Sequence, residues 1–460
     1  MEEEKVRLES DHILSLLFKL SIPGIVSMFV HALYNVVDSI YVGHLSKEAL
    51  AALSLAFPVQ IILIAVAVGT GIGITSLISR LIGKGDVERA SNTAEHGLII
   101  ALVYGVMGLV AGLFLSEQIL ALFTNDPLLI EFGSEYIRII LIGSTAMSIP
   151  IISNSILRGE GNTFIPMIAM LIGSILNMIL DPFFIFGLSV FPRLEVEGAA
   201  IATVLSRVIS GTFILYILFK GDMLLNIDFK HFRRDLSLVR DIYAVGFPSM
   251  IMQVLASFMV ATINVILAGY SAVAIAAMGI YFRLQSFVLM PVFGLNQGYM
   301  PIVGYNYGHK KPERIKKTVV YGIVTAFVFC MIGFFIFQLF PEQLVTLFNE
   351  DPELVKTGTH ALKAISYLYP VVGFSIMASV TFQAFGKGFR SLAISVLRQL
   401  VLLIPLAYIF GKMGGLHLLW YAFPVAEVIA FVGIIAWFRS TLKEIEREIQ
   451  EKIEQDTGVL

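Results

Sequence analysis

The sequence predicts an all-α polytopic membrane protein with twelve transmembrane helices in two pseudo-symmetric six-helix bundles. Three observations predict it. Of 460 residues, 57% are hydrophobic and 14% charged, with mean hydropathy +0.84, whereas a soluble domain carries about 25% charged residues. Apolar runs of about 20 residues or more, each long enough to cross a bilayer as a helix, recur from end to end. The two halves of the chain match at one fixed offset.

Runs between polar or glycine-proline breaks give spans at 12–42, 48–79, 91–114, 129–157, 164–188, 197–219, 237–269, 273–306, 317–339, 357–384, 389–411 and 416–438. The leading "MEEEKVRLESDH" is polar, and the run after it is too long for a signal h-region, so it reads as the first span. The alternating segments of a membrane barrel do not occur. Lys and Arg set the orientation. With both termini in the cytoplasm, 23 of the 32 fall on inner segments and span ends, 4 on outer loops and 5 deeper in spans. The expected location is therefore the cell membrane, multi-pass.

The repeat carries most of the architecture. Pro23 pairs with Pro248, Gly83 with Gly308, Glu88 with Glu313 and Arg89 with Arg314, each 225 residues apart. "ALFTNDP" pairs with "TLFNEDP" at the same offset, which sets Asp126 against Asp351 and Pro127 against Pro352. Six spans per half is an even number, so both halves enter from one side and the repeat is parallel, as in transporters that work by rocking. The predicted layout is an N-terminal lobe 1–220, a cytoplasmic linker 221–236, a C-terminal lobe 237–438 and a solvated, charged tail 439–460.

Several classes fall away. A net charge of -2 gives no basis for a nucleic-acid partner, and the single cysteine, Cys330, cannot form an intrachain disulfide. "GTGIG" at 69–73 lies in an apolar span without the lysine of a phosphate loop, and reads as close helix packing or a flexible stretch. No ATPase motif appears, so an ion gradient must supply the energy. An intramembrane enzyme would need a nucleophile–base pair or metal ligands at depth. His31 has no second histidine beside it and reads as a packing or cavity residue. The polar residues do not form the ring of a channel. The partners expected are small amphipathic molecules and lipids, the chain is expected to be a monomer, and no cofactor is expected beyond a coupling H+ or Na+.

Two acids stand where the repeat tolerates apolar residues. Asp38 corresponds to Ile263, Asp181 to Leu406 and Asn177 to Leu402. A carboxylate at mid-helix costs about 2.5–3.5 kcal/mol on insertion scales, less near an interface. Asp38 lies five residues before Gly43, and Asp181 six before Gly187, so both sit toward the outer face at similar depth. Tyr136 and Thr203 open the inward-running fourth and sixth spans. One layer can thus hold Asp38, Asn177, Asp181, Tyr136 and Thr203, with Asn177 and Asp181 on one helix face. Two acids in a low-dielectric cavity resist being charged together and titrate as a coupled pair. The same oxygens of Asp38, Asn177, Asp181 and Thr203 would instead serve Na+ as a metal site. The plainer alternative is that both acids reach the outer headgroups or cap helix ends, with Pro182 marking a break. Pro23, about four turns before Asp38, is a bending point.

The chain resembles the MATE (multidrug and toxic compound extrusion) transporters over essentially its whole length. The resemblance rests on "YNVVDSIYVGHLS", "RGEGN", "LNMILDPFFIFG", "GAAIAT" and the two six-span halves. The acids in the first and fifth spans resemble the archaeal and bacterial DinF-like branch. The NorM-like branch carries a further acidic site in its C-terminal half, but here the tenth span has no Asp or Glu. The resemblance implies a V-shaped fold and export of amphipathic, often cationic, compounds in exchange for H+ or Na+. It also implies that Asp38, Asn177, Asp181, Tyr136 and Thr203 couple the cation, that the first helix bends at Pro23, and that Asn154 faces the drug cavity. A flippase for a lipid-linked saccharide is the same-superfamily alternative.

Met and Phe cluster in the seventh and eighth spans, where Met259 and Phe287 are cavity candidates because flexible and aromatic side chains adapt to varied ligands. Arg283, Arg398 and Glu427 fall near mid-membrane. Arg283 is a further cavity candidate, and an Arg–Glu ion pair among the three is an equal alternative.

Overall fold

Lipid offers the backbone no hydrogen-bond partners, so each long apolar run closes its own bonds as a helix. In the computed structural model, which describes residues 8–10, 12–43, 45, 47–188, 192–221 and 223–457, no strand occurs among the described residues. Ten helices are long and apolar enough to cross a membrane, and two bent helix pairs bring the spans to twelve.

The first half runs α1 (Ile13–Val42), α2 (Lys47–Gly83), α3 (Val87–Phe114), α4 (Ser116–Ala121), α5 (Pro127–Ile142), α6 (Ser144–Gly159), α7 (Phe164–Phe186) and α8 (Glu195–Lys220). The second runs α9 (Leu236–Ala268), α10 (Ala272–Gly308), α11 (Pro312–Leu339), α12 (Pro341–Thr346), α13 (Pro352–Ser366), α14 (Tyr369–Ala384), α15 (Gly388–Val396), α16 (Ile404–Leu419) and α17 (Ala422–Thr457). The repeat offset reappears in the boundaries: α2 and α10, α3 and α11, α4 and α12, and α6 and α14 each begin and end 225 residues apart. The shared "DP" motif explains one of these starts. Asp126 accepts the Leu128 N–H at 3.0 Å and Asp351 the Glu353 and Leu354 N–H groups at 3.0 and 2.9 Å. Each is an N-cap followed by proline at the first helical position.

Four sequence expectations need correction. The fourth and tenth spans, read as continuous, are broken: α5 meets α6 at 46° and α13 meets α14 at 56°. At the first break the cap residue is Gly143, where a Cβ would collide with Val204 of α8. Hydropathy cannot register such a bend. The eleventh span contains a π-helical stretch, Leu397–Leu403, and extends to Leu419 with non-helical backbone at Gly414 and Gly415. The twelfth starts at Ala422, not at 416. The tail is not simply solvated. Helix α17 runs on to Thr457 with Ile445 and Ile449 buried, while Glu444 pairs with Lys387 at 2.7 Å and Arg390 at 2.8 Å.

The chain forms two compact units whose boundaries fall inside helices. Val26–Met250 belongs to one unit, and Leu8–Ile25 with Ile251–Leu460 to the other. The divisions after Ile25 and after Met250 are again 225 residues apart. Glycine explains the exchange. In the first unit, a Cβ on Gly73 of α2 would collide with the Ile242 carbonyl of α9, and one on Gly69 would lie 2.8 Å from the Met250 nitrogen. In the second, a Cβ on Gly298 of α10 would lie 2.7 Å from the Leu20 carbonyl carbon of α1. "GTGIG" is therefore a close-packing surface, the first of its two sequence readings.

Candidate functional site

Helix α1 carries two faces. Val26, Phe29, Leu33, Val36 and Ile40 are exposed at three- and four-residue spacing, the pattern of a lipid-facing stripe. His31, Tyr34 and Asp38 recur on another face at i, i+3 and i+7. On α7, Gly173, Asn177 and Asp181 share a face, and on α8 Thr203 and Arg207 do. An apolar cluster of Ala56, Tyr136, Ile137, Ile140, Ile185, Val196 and Ala199 locks α2, α5, α7 and α8 together and fixes where these stripes lie.

The stripes meet in the first unit. The Asn177 amide donates to Asp181 Oδ1 at 3.3 Å and to Thr203 Oγ1 at 3.4 Å. Asp181 is fully buried, and the half-buried Asp38 brings its carboxyl within hydrogen-bonding range of it. Tyr34 reaches Thr203. Gln60 donates to the Tyr136 hydroxyl at 2.6 Å, and Tyr136 lies in the electrostatic reach of Asp38, Tyr34 and Asp181. The structure thus brings Asp38, Asn177, Asp181, Thr203 and Tyr136 together, and leaves neither acid on the lipid stripe. Pro182 does not break α7, which continues to Phe186.

Asn177 Oδ1 and Asp181 Oδ2 are buried and have no hydrogen-bond partner among the described residues. Oxygens of amide, hydroxyl and carboxyl type suit a proton or a hard cation. Among the described residues no cluster of three His, Cys, Asp or Glu forms a transition-metal site. An apolar cleft of about 420 Å³ near Ile62, Tyr104, Met107 and Met147 holds none of these acids.

The other candidates lie elsewhere. Pro23 sits in an unbroken α1, in its second-unit portion. Asn154 on α6 is half-buried with Oδ1 unpartnered among the described residues. Met259, Arg283 and Phe287 belong to the second unit, where Arg283 and Phe287 are exposed one turn apart on α10. Arg398 and Glu427 do pair, at 2.9 Å. Sequence reasoning missed Tyr34 and Gln60. A signal existed for each: Tyr34 precedes Asp38 by one turn, and Gln60 is an amide inside an apolar span.

The MatE family model matches the chain twice, over residues 23–183 and 248–409. The chain is 29% identical to the multidrug export protein MepA of Staphylococcus saprophyticus, over 98% of this chain and 99% of that one. It is 27% identical to a FAD transporter of Shewanella oneidensis, over 92% and 93% of the two. Among solved structures, it superposes with a TM-score of 0.91 on a multidrug resistance MATE family transporter in an outward-facing conformation. That match has 31% identity and covers 96% of this chain and 98% of that chain.

Proposed function

The chain belongs to the MATE family of transporters, and from that premise we propose that it is a secondary active antiporter. It exports amphipathic, cationic compounds in exchange for H+ or Na+, with both termini in the cytoplasm. One observation carries the reading: the Asp38 and Asp181 carboxyls face each other beside the unpartnered oxygens of Asn177 and Asp181. Two carboxylates at that range repel unless a proton or cation lies between them, so occupancy of the layer changes its charge and the fit of the helices around it.

The cycle follows from that charge. In the outward-open protein, H+ or Na+ reaches Asp38 and Asp181, held by Asn177, Thr203 and the Tyr136 hydroxyl. Loss of negative charge weakens retention of a cationic substrate and lets α1 bend at Pro23. That proline lies two residues before the point where α1 passes from one unit to the other. The protein then opens inward, releases the cation and takes up substrate. A flippase for a lipid-linked saccharide would favour a cationic cavity, which this acid pair opposes.

The test is transport of a fluorescent lipophilic cation by purified protein in liposomes, under an imposed pH gradient and then a Na+ gradient. Transport driven by one gradient supports the reading and identifies the ion. Transport driven by neither contradicts it. Pro23→Ala should slow turnover more than it alters binding; unchanged turnover removes the bend from the cycle.

A further inference from the structure

The polar stripes do not end at the acid pair. Arg207 lies one turn beyond Thr203 on α8, a rise of about 6 Å. Its Nη1 comes 3.9 Å from the point where Gly173 would carry a Cβ, so the guanidinium rests against the bare backbone of α7, one turn from Asn177. From α1, His31 and Tyr34 both lie within its electrostatic reach. Asp38 and Asp181 instead engage each other and Asn177.

Three observations make Arg207 more than packing. It is half-buried, and among the described residues its guanidinium makes no ion pair or hydrogen bond. A charge left so at membrane depth marks a functional site by default. Two neighbouring polar atoms, His31 Nδ1 and Ser174 Oγ, are also buried without partners. Finally, the repeat supplies a control: the residue 225 positions on is Val432, which is 64% exposed on its helix. The architecture therefore works with an apolar residue at that position.

We propose that Arg207 is an anion-recognising subsite one turn inside the Asp38–Asp181 layer. The first unit would then select amphiphiles that carry both charges. A cationic group faces the acids, and a carboxylate, sulfonate or phosphate about one turn away takes the guanidinium, which binds such groups through a planar fork of donors. This names the substrate class of the site and rests on the reading of the acids as its cation end.

The test is equilibrium binding in detergent of a rhodamine ester, a fixed cation, and of the free acid of the same dye, a zwitterion. The wild type should bind the free acid at least as tightly as the ester. Arg207→Met should lower the free-acid-to-ester affinity ratio at least tenfold, and Arg207→Lys should retain most of it. An unchanged ratio in Arg207→Met, or a parallel loss of both dyes, overturns the proposal. So does a wild type that prefers the ester tenfold, which decides the matter even if Arg207→Met does not fold. Binding needs no gradient, so failure of the antiport reading appears as absent transport while this ratio remains readable.

Discussion

Arg398 Nε donates to Glu427 Oε2 at 2.9 Å, and the Ser375 hydroxyl donates to the other carboxylate oxygen at 2.6 Å. The pair is largely buried, with side chains 17% and 8% exposed, and Arg398 sits in the π-helical stretch Leu397–Leu403. Breaking such a pair strands a charge, at a cost of about 3–5 kcal/mol, whereas replacing both partners with apolar residues of like volume is often near neutral. Arg398→Met should therefore lower the thermal unfolding midpoint in detergent sharply, and Arg398→Met with Glu427→Leu should recover most of it. Equal midpoints for the single and double variants would show that the two residues do not depend on each other.

Gly73 predicts an opposite pair of outcomes. A Cβ there meets the Ile242 carbonyl, which cannot rotate away, so Gly73→Ala should destabilise by about 1–3 kcal/mol. Gly279 of α10 has nothing within 4 Å of its built Cβ. Gly279→Ala should be neutral or stabilise by about 0.5–1 kcal/mol. Unfolding midpoints of the two variants check the sign.

Lys310 holds a left-handed backbone at φ 58°, and its repeat partner is Gly85 at φ 80°. Side chains other than glycine pay about 1–2 kcal/mol there. Lys310→Gly should stabilise by roughly 0.5–1 kcal/mol after the entropy cost of glycine, and Gly85→Ala should destabilise by a similar amount. The same thermal measurement reads both.

Asp235 ends the connection into α9, and its Oδ1 accepts the Ser237 N–H at 2.8 Å. The Ser237 hydroxyl hydrogen bond is the first cause that holds its carboxyl below the ordinary value of 3.8. A depressed acid adds stability above its unfolded value and loses it as pH falls through the folded one. Hydrogen exchange at Ser237 should stay slow at neutral pH and accelerate only below about pH 4. Asp235→Asn should lose that pH dependence.

The sequence made the repeat legible because identical motifs recur at one offset, and the structure returns that offset in helix ends such as Lys47–Gly83 and Ala272–Gly308. It made the acids legible because a carboxylate among valines has few structural excuses. Helices α4 and α12 escaped because six residues leave no hydropathy signal. The bend at Gly143 escaped because a glycine inside an apolar run looks continuous until the neighbour that excludes its side chain is known. Docking of the tail escaped because Ile445 and Ile449 read as surface residues of a charged helix. The pairing of Arg398 with Glu427, and the meeting of Tyr34 with Thr203, are tertiary facts that no spacing encodes.

The central claim is that Asp38 and Asp181 form one cation-coupling layer. Its most direct measurement is gradient-driven uptake of a lipophilic cation into liposomes by the wild type, Asp38→Asn and Asp181→Asn, each first shown to elute and unfold as the wild type does. The account predicts that both variants lose gradient-driven transport while remaining folded. Normal transport by folded Asp38→Asn would contradict it.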